Sequence, residues 1–151
     1  MNIGTYTLML LQGAELGRKE MRDKYEMKSK WRVVPRNFGT YRGKKTFEVE
    51  RVCVASNTMP YEDYLECRKF SFLVSFYSYP VFSPIKRLLE KELNISYFDF
   101  LTSIYHSLNK MIEDKVIEKK NLPDGIVKNY LEFSKESQEE LFEAKKDLVE
   151  F

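Results

Sequence analysis

The stretch Thr46-Phe47-Glu48-Val49-Glu50-Arg51-Val52-Cys53-Val54-Ala55 and its sequel, Asn57-Thr58-Met59-Pro60-Tyr61-Glu62-Asp63-Tyr64-Leu65, decide the fold class. In the first, Phe47 and Val49, then Val52 and Val54, are apolar with charged residues between. Such alternation fits a strand with one face buried. The phase slips by one residue at Glu50-Arg51, which predicts a bulge there. In the sequel the period lengthens. Pro60 suits the start of a helix, and an apolar stripe follows at helical spacing: Tyr61, Tyr64, Leu65, Phe72, Leu73, Phe76 and Tyr77. The composition changes near Asn57, so the expected organisation is a strand-bearing segment over 1–56 and a helical domain over 57–151. The expected class is α+β, mainly α.

Upstream of this strand, Ile3 to Leu11 is rich in Thr, Tyr and Leu without clean alternation, which predicts a strand buried on both faces, as in a parallel sheet. Gln12 to Gly17 reads as a strand-to-helix loop and Arg18 to Tyr25 as a short helix. Trp31 to Val34 reads as a short strand stopped by Pro35, and Asn37 to Lys45 as a turn. Downstream, Ser83-Pro84 opens a helix to about Leu93. Ser96, with Asp99 three residues on, caps another. Leu122-Pro123-Asp124-Gly125 breaks the pattern before one or two final helices run to Phe151, burying Ile126, Tyr130, Phe133, Leu141, Phe142 and Leu148.

The totals set limits. The chain has 151 residues, 43% of them hydrophobic and 15% aromatic, and a formal net charge of +2. That is enough apolar material for one core. No apolar run reaches the roughly 20 residues that span a bilayer. No basic stretch precedes Tyr6 to Leu11 and no small-residue cleavage site follows, so a signal peptide is not expected. The two cysteines, Cys53 and Cys67, form no C-x-x-C pair and read as reduced thiols of a cytoplasmic protein.

Charge is distributed unevenly. Arg18 to Lys45 holds eleven Lys/Arg against three acids, whereas Glu132 to Phe151 holds seven acids against three lysines. A basic segment interleaved with Tyr25, Trp31, Phe38 and Tyr41 can contact phosphates, an acidic partner or the chain's own acidic end. The isoelectric point of 8.4 lies below the usual nucleic-acid footprint, so nucleic acid is not the expected partner. His106 is the sole histidine and lacks companions at metal-ligand spacing. Glu62, Asp63 and Glu66 crowd a helix start, where the dipole favours acids. No phosphate-cradling glycine motif occurs. No residue is assigned as catalytic or as a metal ligand, and the chain is not expected to run a reaction alone.

One set of residues goes further. Lys30 to Tyr41 (KWRVVPRNFGTY), Phe47 to Val54 (FEVERVCV), Asn57-Thr58-Met59 and Tyr61 to Arg68 (YEDYLECR) resemble the region after the barrel in radical SAM proteins. The nearest type is the group that carries a cobalamin-binding domain ahead of the radical SAM domain. The resemblance extends to about Leu108 and implies a larger enzyme that holds a [4Fe–4S] cluster and cleaves S-adenosylmethionine reductively. The Cys-x-x-x-Cys-x-x-Cys loop of that family is absent, as are its glycine-rich methionine-binding strand end and any cobalamin signature. The resemblance therefore implies a C-terminal fragment or subunit whose partner is the N-terminal, cluster-binding part. Thr5 to Gly13 would be the last barrel strand and its loop, with Leu11, Gln12 and Gly13 near the adenine end of S-adenosylmethionine. Arg32 and Arg36 would reach a carboxylate or phosphate of a small-molecule substrate. The alternative expectation is a stand-alone helical interaction module whose basic N-terminal third docks an acidic partner.

Overall fold

A computed structural model describes residues 4–114 and 125–148, with the side chains of Pro35 and Arg36 left aside. The element order is α1 (Lys19–Lys24), β1 (Lys28–Tyr41), β2 (Lys44–Ala55), α2 (Tyr61–Tyr77), α3 (Ser83–Lys91), α4 (Tyr97–Glu113) and α5 (Ile126–Glu139). Short 3-10 turns stand at Glu15–Gly17, Pro80–Phe82 and Lys145–Leu148. The class is α+β, mainly α, as the change of period near Asn57 predicts. No helix among the described residues is long and apolar enough to cross a membrane.

The chain divides into two compact units. One comprises 6–66 and 136–151, of which 6–66 and 136–148 are described, and contains the sheet. β1 and β2 are antiparallel, with Trp31 opposite Arg51, Arg32 opposite Glu50 and Phe38 opposite Phe47. Arg42 and Gly43 join them at positive φ, 50° and 76°, which is the geometry of a tight hairpin turn and the reason a glycine stands second. The turn predicted over 37–45 is thus two residues long, and 37–41 is strand. Pro35 does not end β1. The register slips between Val33 and Phe38, so the proline falls in a bulge, where its missing N–H breaks no ladder bond.

The N-terminal segment departs from the parallel-strand expectation. Met9 forms an antiparallel bridge with Val52, Leu10 N–H donates to the Arg51 carbonyl at 2.8 Å, and Cys53 N–H donates to Leu8 O at 2.9 Å. Residues 8–10 therefore line the outer edge of β2 in antiparallel sense, and Tyr6, Leu8, Met9 and Leu11 remain exposed. On the other flank, Trp31 and Phe142 exchange two backbone hydrogen bonds of 2.8 Å. Both edges of the hairpin base are thus paired, and Val52, Cys53, Val54 and Ala55 are buried in an unbroken run. No register slip occurs at Glu50-Arg51. The extra residue of β2 falls instead at Val54, between the pairs Ser29–Cys53 and Lys28–Ala55. Val52 and Val54 pack with Tyr64 and Leu141, flanked by Met59, Tyr61 and Leu65.

The second unit comprises 1–5 and 67–135, of which 4–5, 67–114 and 125–135 are described. Its core is Leu73, Leu108 and Tyr130, ringed by Phe72, Tyr77, Ile104, Tyr105 and Ile112. These come from the apolar stripes read in the sequence. Ser96 caps α4 as predicted, its hydroxyl accepting from Asp99 N–H at 3.2 Å. The break predicted at Leu122-Pro123-Asp124 lies outside the described residues; Gly125 directly precedes α5. Past α5 the chain does not continue as helix, since Phe142 joins the sheet.

Candidate functional site

β2 alternates its side chains between two faces, and the two faces differ in charge. Lys44, Thr46, Glu48, Glu50 and Val52 share one face; Lys45, Phe47, Val49, Arg51 and Cys53 share the other. Opposite the first set stand Lys30 and Arg32 of β1, and opposite the second stand Trp31, Val33 and Phe38.

On the first face Arg32 is buried, 8% exposed. Its Nε donates to Glu50 Oε1 at 2.6 Å and its Nη1 to Glu140 Oε1 at 3.2 Å. Burial acts to lower the pKa of this guanidinium, but the Glu50 hydrogen bond and the charges of Glu140 and Glu50 outweigh it, and the net shift is upward. Lys30 Nζ pairs with Glu143 at 2.9 Å and lies over the Tyr61 ring. Asn37 Nδ2 donates to Glu48 at 2.9 Å. The acids of this face are thus met by donors from the chain itself.

The second face is basic and aromatic. Arg51 Nε donates to the Ser29 hydroxyl at 2.7 Å, and its guanidinium stands 5.9 Å from the Trp31 ring centroid. Lys145 Nζ stands at the same distance from the same ring. Burial, and then the nearby Arg22 charge, lower the pKa of Arg51. Toward the hairpin turn Phe38 and Phe47 are exposed, at 75% and 43%. A shallow groove of about 500 Å³ runs along Phe47, Glu48, Val49 and Lys145.

Of the residues singled out in the sequence, Leu11, Gln12 and Gly13 lie where the N-terminal segment turns off the edge of β2, with Gly13 at φ 87°. Ala14 N–H closes this turn on Leu11 O at 3.2 Å. Gly17 passes so close that a Cβ there would stand 2.2 Å from Leu11 O. Arg32 is on β1, which flanks β2 on the side opposite residues 8–10, so the sheet separates it from the loop at 11–13. Its guanidinium is occupied by two carboxylates. Arg36 lies within the β1 bulge, and its side chain is outside the described residues. Cys53 is buried and its thiol donates to Ala55 O at 3.3 Å; burial pushes its pKa up, and Cys67 is exposed. No group of three or more His, Cys, Asp or Glu residues able to hold a metal ion occurs among the described residues.

The roles of Glu140, Phe142 and Lys145 have no local sequence signal. Each reaches the hairpin from about a hundred residues away along the chain, and only the acidic character of 132–151 hinted at complementarity to the basic segment. No family model and no curated protein matches the chain.

Proposed function

We propose that this chain is the C-terminal region of a radical SAM enzyme of the type with a cobalamin-binding domain, and that it does not catalyse a reaction alone. What supports the reading is the placement of the stretches that carry the resemblance. Lys30 to Tyr41, Phe47 to Val54, Asn57 to Met59 and, of Tyr61 to Arg68, the residues up to Glu66 belong to one compact unit, built as hairpin, turn and helix start, while Cys67 and Arg68 belong to the other. The reading rests on this block and not on residues 5–13, of which 8–10 pair antiparallel with β2 and so do not form a parallel barrel strand. Two cysteines, one buried and one exposed, do not make the cysteine set that a [4Fe–4S] cluster requires. The cluster and S-adenosylmethionine would therefore be held by another part of the enzyme, and no step is assigned to residues of this chain. A cytoplasmic location accords with two reduced thiols.

The test is co-expression with the product of a neighbouring reading frame that encodes Cys-x-x-x-Cys-x-x-Cys, followed by anaerobic reconstitution with iron and sulfide. Cleavage of S-adenosylmethionine to 5′-deoxyadenosine and methionine that depends on this chain supports the proposal. Two proteins that do not associate, with cleavage indifferent to this chain, sink it.

A second reading, a module that docks an acidic partner, is favoured by one observation. The second face of the hairpin carries Lys45, Arg51 and Lys145, while the sheet's acids lie on the first face against their own donors.

A further inference from the structure

We infer that the outer edge of β2, from Lys45 to Val49, takes up an acidic peptide in extended conformation as an added strand. The inference deepens the second reading above and is independent of the radical SAM reading.

The hydrogen-bond register carries it. Trp31 uses its backbone N–H and C=O on Phe142, so its pair with Arg51 is a non-hydrogen-bonded one, and Arg51 turns its own backbone groups to the outer edge of β2. There Leu10 donates to Arg51 O, and two residues on, Cys53 donates to Leu8 O. The same alternation holds to the other end of the strand, where the pair Tyr41–Lys44 closes the two-residue turn. Val49, Phe47 and Lys45 therefore aim their N–H and C=O groups at the same edge. The N-terminal segment covers that edge only as far as Arg51. At Leu11–Gly13 it turns away, so three successive donor–acceptor sets continue an existing antiparallel pairing with no backbone partner among the described residues. A strand edge of this kind is a template for another backbone.

Side chains choose the occupant. Those of Lys45, Phe47, Val49 and Arg51 face one way, joined by Lys145 at the groove along Phe47 and Val49. By alternation, β2 places no acid on this face. Glu48 reaches the rim, but its carboxylate accepts from Asn37 on the other face, and Asp147 accepts from Ala144 N–H. Three cations beside two apolar side chains fit a strand that alternates acidic with apolar residues. A polynucleotide would match the cations but not the row of backbone donors and acceptors.

The probe is a blocked hexapeptide of alternating Glu and Val, added to the full chain and followed by amide hydrogen exchange. Exchange should slow at Lys45, Phe47 and Val49 and stay unchanged at Thr46, which pairs inward with Gly39. The double substitution Lys45→Glu with Lys145→Glu should weaken binding about tenfold, whereas Lys91→Glu on α3 should not. Four results would overturn the inference: no slowing at the three amides; equal binding of a Lys/Val hexapeptide; preferential binding of oligo-dT without edge protection, which would assign the face to nucleic acid; or protection that rises with protein concentration alone, which would assign the edge to a second copy of this chain. None of the four bears on the co-expression test.

Discussion

Arg32 Nε and Glu50 Oε1 lie 2.6 Å apart, across a directly opposed β1–β2 pair, with both side chains 10% exposed. Glu140 completes the arrangement at 3.2 Å from Nη1. A cation read in the sequence as a substrate contact is thereby tied to two carboxylates of its own chain, one of them 108 residues away.

Replacing Arg32 with Met strands Glu50 in a nearly buried position, and replacing Glu50 with Gln weakens the pair from the other side. Removing one partner of a buried pair costs about 3 kcal/mol, whereas replacing both by apolar residues of similar volume is close to neutral. Urea unfolding of Arg32→Met, Glu50→Met and the double variant should show strong non-additivity. Additive effects would mean that the pair contributes nothing to the fold.

Cys53 gives a pH dependence of definite sign. Burial raises its thiol pKa in the folded protein above the ordinary value of 9.0. The unfolded chain therefore loses this proton first, so the stabilisation is complete below pH 9.0 and is lost as pH rises from 9.0 through the folded-state value. Unfolding free energies compared at neutral and alkaline pH should fall less steeply for Cys53→Ala than for the native chain. An Ellman titration of the folded protein should find Cys67, which is exposed, reacting ahead of Cys53.

Gly17 is fixed by space. Alanine would place a Cβ 2.2 Å from the Leu11 carbonyl oxygen, a backbone atom that cannot swing aside. Gly17→Ala should cost about 1–3 kcal/mol through overpacking and speed hydrogen exchange at Ala14, whose amide closes the turn on Leu11. Alanine tolerated with unchanged exchange would count against this approach of the two strands of chain.

Tyr130 is fully buried, and its hydroxyl donates to Asn109 Oδ1 at 2.8 Å, an oxygen that also accepts from Lys69 at 3.4 Å. Tyr130→Phe keeps the ring and removes one bond, at a cost of about 1 kcal/mol. Tyr130→Ala also empties the space beside Leu73 and Leu108 and should cost about 3–5 kcal/mol. Equal losses in the two variants would show that the ring packing contributes little.

Local rules account for much of what was legible. The helical stripe Tyr61 to Tyr77 became α2, and the Ser96 cap formed, because spacing and capping act within a turn or two of chain. β2 was read within two residues of its start. What failed were judgements that depend on neighbours. The one-residue phase slip at Glu50-Arg51 looked like a bulge, whereas the extra residue falls at Val54, a matter of how β2 pairs with β1. Pro35 looked like a strand end because a bulge in β1 cannot be foreseen from one strand alone. Arg32 looked available because Glu140 is remote in sequence.

The sequence by itself determined the mainly helical α+β class, the strand ending at Ala55, the helix starts near Tyr61 and Tyr97, and the opposite charges of the 18–45 and 132–151 segments. Those are properties of hydrophobic period, capping chemistry and charge, which each short stretch carries with it. Only the tertiary structure decided that residues 8–10 pair antiparallel with β2, that Phe142 leaves the helical pattern to pair with Trp31, and that Arg32 is bound by Glu50 and Glu140. Strand partners and ion pairs are chosen by which backbone edges and buried charges need satisfying once the chain has folded, and that choice is made between segments up to a hundred residues apart.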